Sequence, residues 1–190
     1  MHHTSLHNMR VFKERYAPQQ TGVVIDVGSL DINGTYRDLF PGWDYIGIDI
    51  VPGKGVDRVV EPNKWGDVAD DAADVIISGQ AFEHMADDHA AIREIARALK
   101  PGGHCCIIAP STGPKHVEPD YRRYTPEAMR ELAESVGLEV ISAEINGRHP
   151  WYDCVLITRK QKVRESGFPA ATEVEDEHAP KYRKRLSKAA

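Results

Sequence analysis

Two histidines sit beside acids in the middle of the chain. His84 lies in FEHM and His116 in PSTGPKHVEPDYRRY, with a third, His149, in NGRHPW. Imidazole titrates near neutral pH, so a histidine can take a proton from an alcohol without extreme tuning. His116 and His84 are therefore the candidate catalytic bases. His116, Glu118 and Asp120 are spaced by two, which places them on one face of an extended segment. With Glu83 or His84, the same groups could hold a hard cation such as Mg2+. Asp120, Tyr121, Arg123, Tyr124 and His149 are polar or aromatic groups suited to gripping a hydroxylated compound. Arg122 and Arg123 also offer a fork for a carboxylate or phosphate.

A second group lies earlier. VVIDVGSLDING reads as a buried strand that breaks at Gly28, and YIGIDI reads as a second strand ending in Asp49. Glycine lets a ligand approach the backbone closely. An acid at the end of the second strand can accept both hydroxyls of a ribose. The further glycines of a dinucleotide loop are missing: Leu30 and Ile32 stand in the way, and Asp31 adds a carboxylate. The turn therefore suits a nucleoside with a cationic, amino-acid-like end better than a pyrophosphate.

These residues need elements to hold them. Short apolar runs at Val23–Val27, Tyr45–Ile50, Asp57–Val60, Asp74–Ser78 and His104–Ala109 read as strands covered on both faces. Helices are expected over 5–17, Thr35–Phe40, Asp87–Leu99 and from Thr125 to Gly137. Asp87 or Asp88 caps the third and Thr125-Pro126 opens the fourth. Pro101-Gly102-Gly103 ends the third. Leu138–Ile145 and Tyr152–Thr158 form an antiparallel pair. Alternating strands and helices call for a mostly parallel sheet between helical layers.

The ordered set VVIDVGS, YIGIDI, DVIISGQAFEHM and ALKPGGHCCIIAPS resembles the class I methyltransferases that use S-adenosylmethionine, over roughly residues 20–158. FEHM followed by LKPGG is its most specific part. The resemblance implies a Rossmann-like, doubly wound, seven-stranded sheet with a terminal antiparallel hairpin, in three α/β/α layers. Its last strand inserts between the fifth and sixth. It implies S-adenosyl-L-methionine as cofactor. Asp26, Gly28 and Ser29 would shape the pocket for the methionine end, and Asp49 would hold the ribose with Ile50 against the adenine. Glu61 to Trp65 would flank the adenine edge, and Gln80 and Ala81 would lie beside the methyl donor. The incomplete glycine motif is where the chain departs from the family.

The chain has 190 residues and a net charge of -5. Residues 159–190 hold nine Lys/Arg and five Asp/Glu, or +4, which leaves about -9 on the body. An acidic body and no nucleic-acid module argue against a nucleic-acid partner. No apolar run is long enough to span a membrane, and no signal core begins the chain, so a cytoplasmic protein is expected. Cys105, Cys106 and Cys154 are expected to be buried, reduced thiols. The chain divides into a methyltransferase domain over 1–159 and a charged tail over 160–190, flexible or ordered by a partner. A homodimer is one expected assembly. The function expected is O-methylation of a small acceptor, a sugar or related polyol. N-methylation of a small amine, or a non-catalytic cofactor-binding partner subunit, are the alternatives.

Overall fold

A computed structural model describes residues 3–62, 64–147 and 152–162. Seven strands form one sheet: β1 (Val23–Val27), β2 (Asp44–Asp49), β3 (Arg58–Val59), β4 (Ala73–Gly79), β5 (Leu99–Pro110), β6 (Leu138–Ile145) and β7 (Asp153–Lys160). Their order across the sheet is β3-β2-β1-β4-β5-β7-β6. β1 to β5 pair in parallel, and β7 runs antiparallel between β5 and β6. This is the Rossmann-like sheet with a terminal hairpin that the sequence called for.

Three α-helices cover it: α1 (His3–Tyr16), α2 (Asp88–Ala98) and α3 (Pro126–Glu134). Strand side chains alternate between the two faces. Val24, Val75, Ile77, Cys106 and Ile108 face Met9 and Phe12 of α1. Ile25, Ile76, Cys105 and Ile107 face Ile92 and Ile95 of α2, with Met129 and Leu132 of α3. Asp87 caps α2 through the Ala90 N–H, and Thr125 caps α3 through the Ala128 N–H, as their side chains dictate.

Two elements differ from expectation. The helix expected over Thr35–Phe40 is a single 3₁₀ turn, Arg37–Leu39. Asn33-Gly34 and Pro41-Gly42 leave too few residues between them to nucleate a helix. The Pro101-Gly102-Gly103 segment is not a loop after α2 but part of β5, which starts at Leu99. The extra residues are absorbed where the register jumps from Ala73↔Leu99 to Val75↔His104. Gly103 is needed there, because a Cβ would stand 2.9 Å from the Asp74 and Lys100 carbonyl oxygens.

All three cysteines are buried and free. Cys154 pairs in register with Ala109, and Cys105 and Cys106 pair with Thr158 and Ile157. Among the described residues no helix is long and apolar enough to cross a membrane. The expectation for the tail falls almost wholly on 163–190, outside the described residues, as does His149.

Candidate functional site

The carboxyl ends of β1, β2 and β4 are where an open parallel sheet binds ligands. Gly28 leaves β1 with φ +78°, and a Cβ built on it would lie 2.4 Å from the Cβ of Ala81. The turn after β1 and the turn after β4 thus meet where no larger residue fits. Ser29 folds back over Gly47, and its N–H joins that of Gly28 on the Ile48 carbonyl. Its hydroxyl is buried and, among the described residues, has no hydrogen-bond partner. Asp49 ends β2 half-exposed, accepting from the Leu30 and Val51 N–H groups. Beside it, Ile50, Val51 and Val59 are exposed apolar side chains. An acid beside unburied aliphatics, next to a glycine turn with an orphaned hydroxyl, fits a ribose and a purine. That donor set and cradle fit the nucleoside of S-adenosylmethionine, for which Asp49 offers a carboxylate and Ile50 an exposed apolar face.

Asp26 lies beneath this turn, buried, and accepts from the Tyr45 hydroxyl. Burial pushes its carboxyl up to about 7. The acid ionises near pH 4 in the unfolded chain but stays protonated to about 7 when folded. Folding stability is therefore expected to fall as pH rises from about 4 to about 7 and then level off. Asp26→Asn, which keeps an acceptor for Tyr45, removes this loss. Its melting temperature relative to wild type, without donor, should rise between pH 5 and pH 8. An equal offset at both pH values would contradict the assignment.

Two sequence-based placements are corrected. Trp65 is 2% exposed and packs in the core with Ile48 and Val68 rather than lining an adenine edge. Tyr124 is 3% exposed, and its hydroxyl donates to the Phe82 carbonyl and to Asp88. It anchors the loop and offers nothing to an acceptor. Glu61 is exposed, and its backbone carbonyl accepts from the Lys64 N–H.

Beside the glycine turn lies a second cluster, built on the 3₁₀ turn Phe82–His84 directly after Gln80 and Ala81. Gln80 holds φ +59° and donates to Asp153, a buried acid that also accepts from Thr4 of α1. The sequence reading missed Asp153. It reaches the site only because β7 inserts beside β5, opposite Pro110.

The long loop after β5 folds over this turn. The Tyr121 N–H donates to the Glu83 carbonyl and the Tyr124 N–H to the Pro110 carbonyl. Asp120, its side chain fully buried, pivots the loop. It takes both arms of the Arg123 guanidinium, the His116 N–H and the His116 ring Nδ1. Arg123 holds the Asp120 carboxyl well below the usual carboxylate range. Tyr121 is exposed and, with Gly113, Lys115, Asp120, Arg122 and Arg123, lines an open depression of about 150 Å³.

His84 Nδ1 lies 2.6 Å from the Pro119 carbonyl, and His116 Nδ1 lies 3.0 Å from Asp120 Oδ2. Both partners can only accept, so both Nδ1 atoms carry a proton and both Nε2 atoms face inward. They converge on Glu83 Oε1, at 3.6 Å from His84 and 3.9 Å from His116. The Glu83 side chain is fully buried, and among the described residues neither carboxylate oxygen has a hydrogen-bond partner. Burial pushes its carboxyl up to about 7. Glu118 stays outside: its side chain is 69% exposed, lies 3.9 Å from Lys115, and accepts from the Asp120 N–H. Of the residues expected to gather a cation, the structure brings Glu83, His84 and His116 together and spends Asp120 on Arg123 and His116.

With the geometry in place, comparison with known proteins gives the class. Residues 25–107 match the family described as "Methyltransferase domain". A 65-residue stretch is 41% identical to the uncharacterized protein YafE of Escherichia coli strain K12, covering 34% of this chain and 31% of that protein. The chain therefore spans about a third of the curated relative it matches. The fold is shared with the 1,6-didemethyltoxoflavin-N1-methyltransferase of Burkholderia thailandensis (TM-score 0.69, 15% identity, 83% of this chain and 79% of that one). It is shared also with a SAM-dependent methyltransferase of Aquifex aeolicus (TM-score 0.62, 19% identity, 80% and 88%). Over residues 25–107 the chain is thus similar to the methyltransferase-domain family, and its fold is the one found in S-adenosylmethionine-dependent methyltransferases.

Proposed function

We propose that this chain methylates a hydroxyl of a small polar acceptor, a sugar or related polyol, at the expense of S-adenosylmethionine. The cofactor supplies a methyl group already activated on a sulfonium sulfur, so the protein's part is alignment and a destination for the acceptor's proton. Asp49 and Ile50 hold the nucleoside. The Gly28–Ala81 contact fixes the turn below it, and Gln80, pinned by Asp153, borders the acceptor side.

One observation carries the choice of acceptor: a buried, unpartnered Glu83 beneath two imidazoles whose outer nitrogens are tied down. An alcohol needs such a proton-handling centre. An amine needs it less, since it attacks through a free lone pair. His116 is the group assigned the acceptor's proton, directly or through a cation that it ligates. Tyr121 and Arg123 line the way in. The N-methylating reading has one point in its favour, the shared fold with the Burkholderia N1-methyltransferase.

Purified protein incubated with donor and separate panels of sugars and small amines separates the two readings. Labelled methyl appearing on sugar oxygen supports the proposal, and label on amines alone overturns it. A protein that binds donor and transfers to neither panel fits the partner-subunit reading. Asp49→Ala is expected to weaken S-adenosylhomocysteine binding by roughly 1–3 kcal/mol, the scale of losing charge-assisted hydrogen bonds. Unchanged affinity by calorimetry would remove Asp49 from the site.

A further inference from the structure

We propose that Glu83, His84 and His116 form a site for one divalent transition metal of the zinc type, bound through Glu83 Oε1 and the two Nε2 atoms. These ligand atoms already lie within 4.8 Å of one another, and the two contacts to the carboxylate oxygen are 3.6 and 3.9 Å. Ligands at about 2.0–2.2 Å from a tetrahedral ion stand roughly 3.3–3.6 Å apart. The two contacts to Glu83 need to contract by at most about 0.6 Å and the remaining pair by at most about 1.5 Å.

Three further features point to a metal. Metal-binding histidines commonly donate their other ring N–H to a carboxylate or a backbone carbonyl, which fixes the tautomer and orients the ring. His116 does the first through Asp120 and His84 the second through Pro119. A carboxylate shut away from water without a hydrogen bond is costly unless a cation or donor offsets it, and both Glu83 oxygens are in that state. The two imidazoles are about a quarter exposed, at 26% and 29%, so one side of the cluster remains open. Three protein ligands with an open position is the arrangement of catalytic rather than structural zinc.

The donor set also decides against the Mg2+ expected from the sequence. Magnesium prefers oxygen ligands and keeps its waters, whereas imidazole suits Zn2+ and its borderline neighbours. The open position would take the acceptor's hydroxyl and make it easier to deprotonate, a consequence that rests on the function proposed above. Metal binding itself does not.

The test uses full-length protein stripped with a chelator and titrated with Co2+ and Zn2+ alone, without donor or acceptor. His2, His3 and His7 are replaced by Ala throughout, so that the N-terminal imidazoles cannot contribute. One equivalent of Co2+ with the intense visible absorption of a low-coordinate site, displaced by Zn2+, is expected. His84→Ala and His116→Ala should each lower affinity by at least about 100-fold. Asp120→Asn should lower it by about 10–100-fold, the usual effect of losing a carboxylate behind a ligating histidine. Glu118→Ala should leave it unchanged. S-adenosylhomocysteine binding, read in every variant, reports that the fold is intact. No stoichiometric binding, or binding that survives in the double variant His84→Ala/His116→Ala, overturns the proposal. One bound equivalent in a protein that transfers no methyl group would overturn the function and leave the metal site standing.

Discussion

His116→Ala is expected to lower turnover at saturating donor by about 10²–10⁴-fold, the range seen when a proton-accepting group is removed. Affinity for S-adenosylhomocysteine should stay within about twofold, because the nucleoside site proposed above is at Asp49 and not at this loop. The size of the effect follows from how His116 is held. Asp120 accepts from its Nδ1 at 3.0 Å, and Arg123 fixes Asp120 in turn. The ring is thus set in one tautomer and one orientation before any acceptor arrives, and an alanine removes both the group and that setting. His84→Ala, measured in parallel, is the competitor. Near-normal turnover in His116→Ala with a collapse in His84→Ala would move the role to His84. Whether the lost group served as base or as ligand is read from added Zn2+: only a metal-dependent site loses activity with a chelator and regains it with the ion.

Phe82→Ala should be the most damaging core change near the site, costing about 3–5 kcal/mol of stability. Phe82 is fully buried, packs edge-on against Tyr124 with ring centroids 6.3 Å apart, and opens the turn that carries Glu83 and His84. At roughly 2–4 °C per kcal/mol for a domain of this size, the melting temperature should fall by about 6–20 °C. Turnover measured well below that temperature should fall too, since the turn loses the packing that orients Glu83. Tyr124→Phe keeps the ring and removes only the hydroxyl bonds to Phe82 and Asp88. A cost of about 1–3 kcal/mol is expected, mostly from leaving buried acceptors unpaired. A stable Phe82→Ala variant would show that the turn is held by its backbone bonds alone.

The sheet was legible because strand and helix signals in this chain are strong and local. Val23–Val27 and Asp74–Ser78 are apolar runs, Asp87 and Thr125 are side-chain caps, and the antiparallel direction of the last two strands follows from one short connection, their order being what the family resemblance implies. What was not legible depends on partners brought together by the fold. Tyr124 looked like an acceptor contact because its neighbours are polar, yet Asp88 and the Phe82 carbonyl reach it only once α2 and the loop pack together. Trp65 looked like a ligand wall, and nothing in its flanks signals the core position it takes. Alternation along 116–120 suggested three ligands on one face. The loop is not extended there, so Glu118 turns to solvent while Asp120 turns inward to Arg123. The meeting of His84 with His116, ring centres 4.9 Å apart, joins residues 32 positions apart in sequence and has no local signal.

The central claim is that the cofactor's reactive end opens onto the Glu83–His84–His116 cluster. A crystal structure of the protein with S-adenosylhomocysteine tests it most directly. The account predicts the ribose on Asp49, the adenine against Ile50, and the sulfur on the side of Gln80 and Ala81, facing the two histidine Nε2 atoms across open space. A nucleoside bound away from Asp49, or a sulfur turned from the cluster and toward another set of side chains, would contradict it.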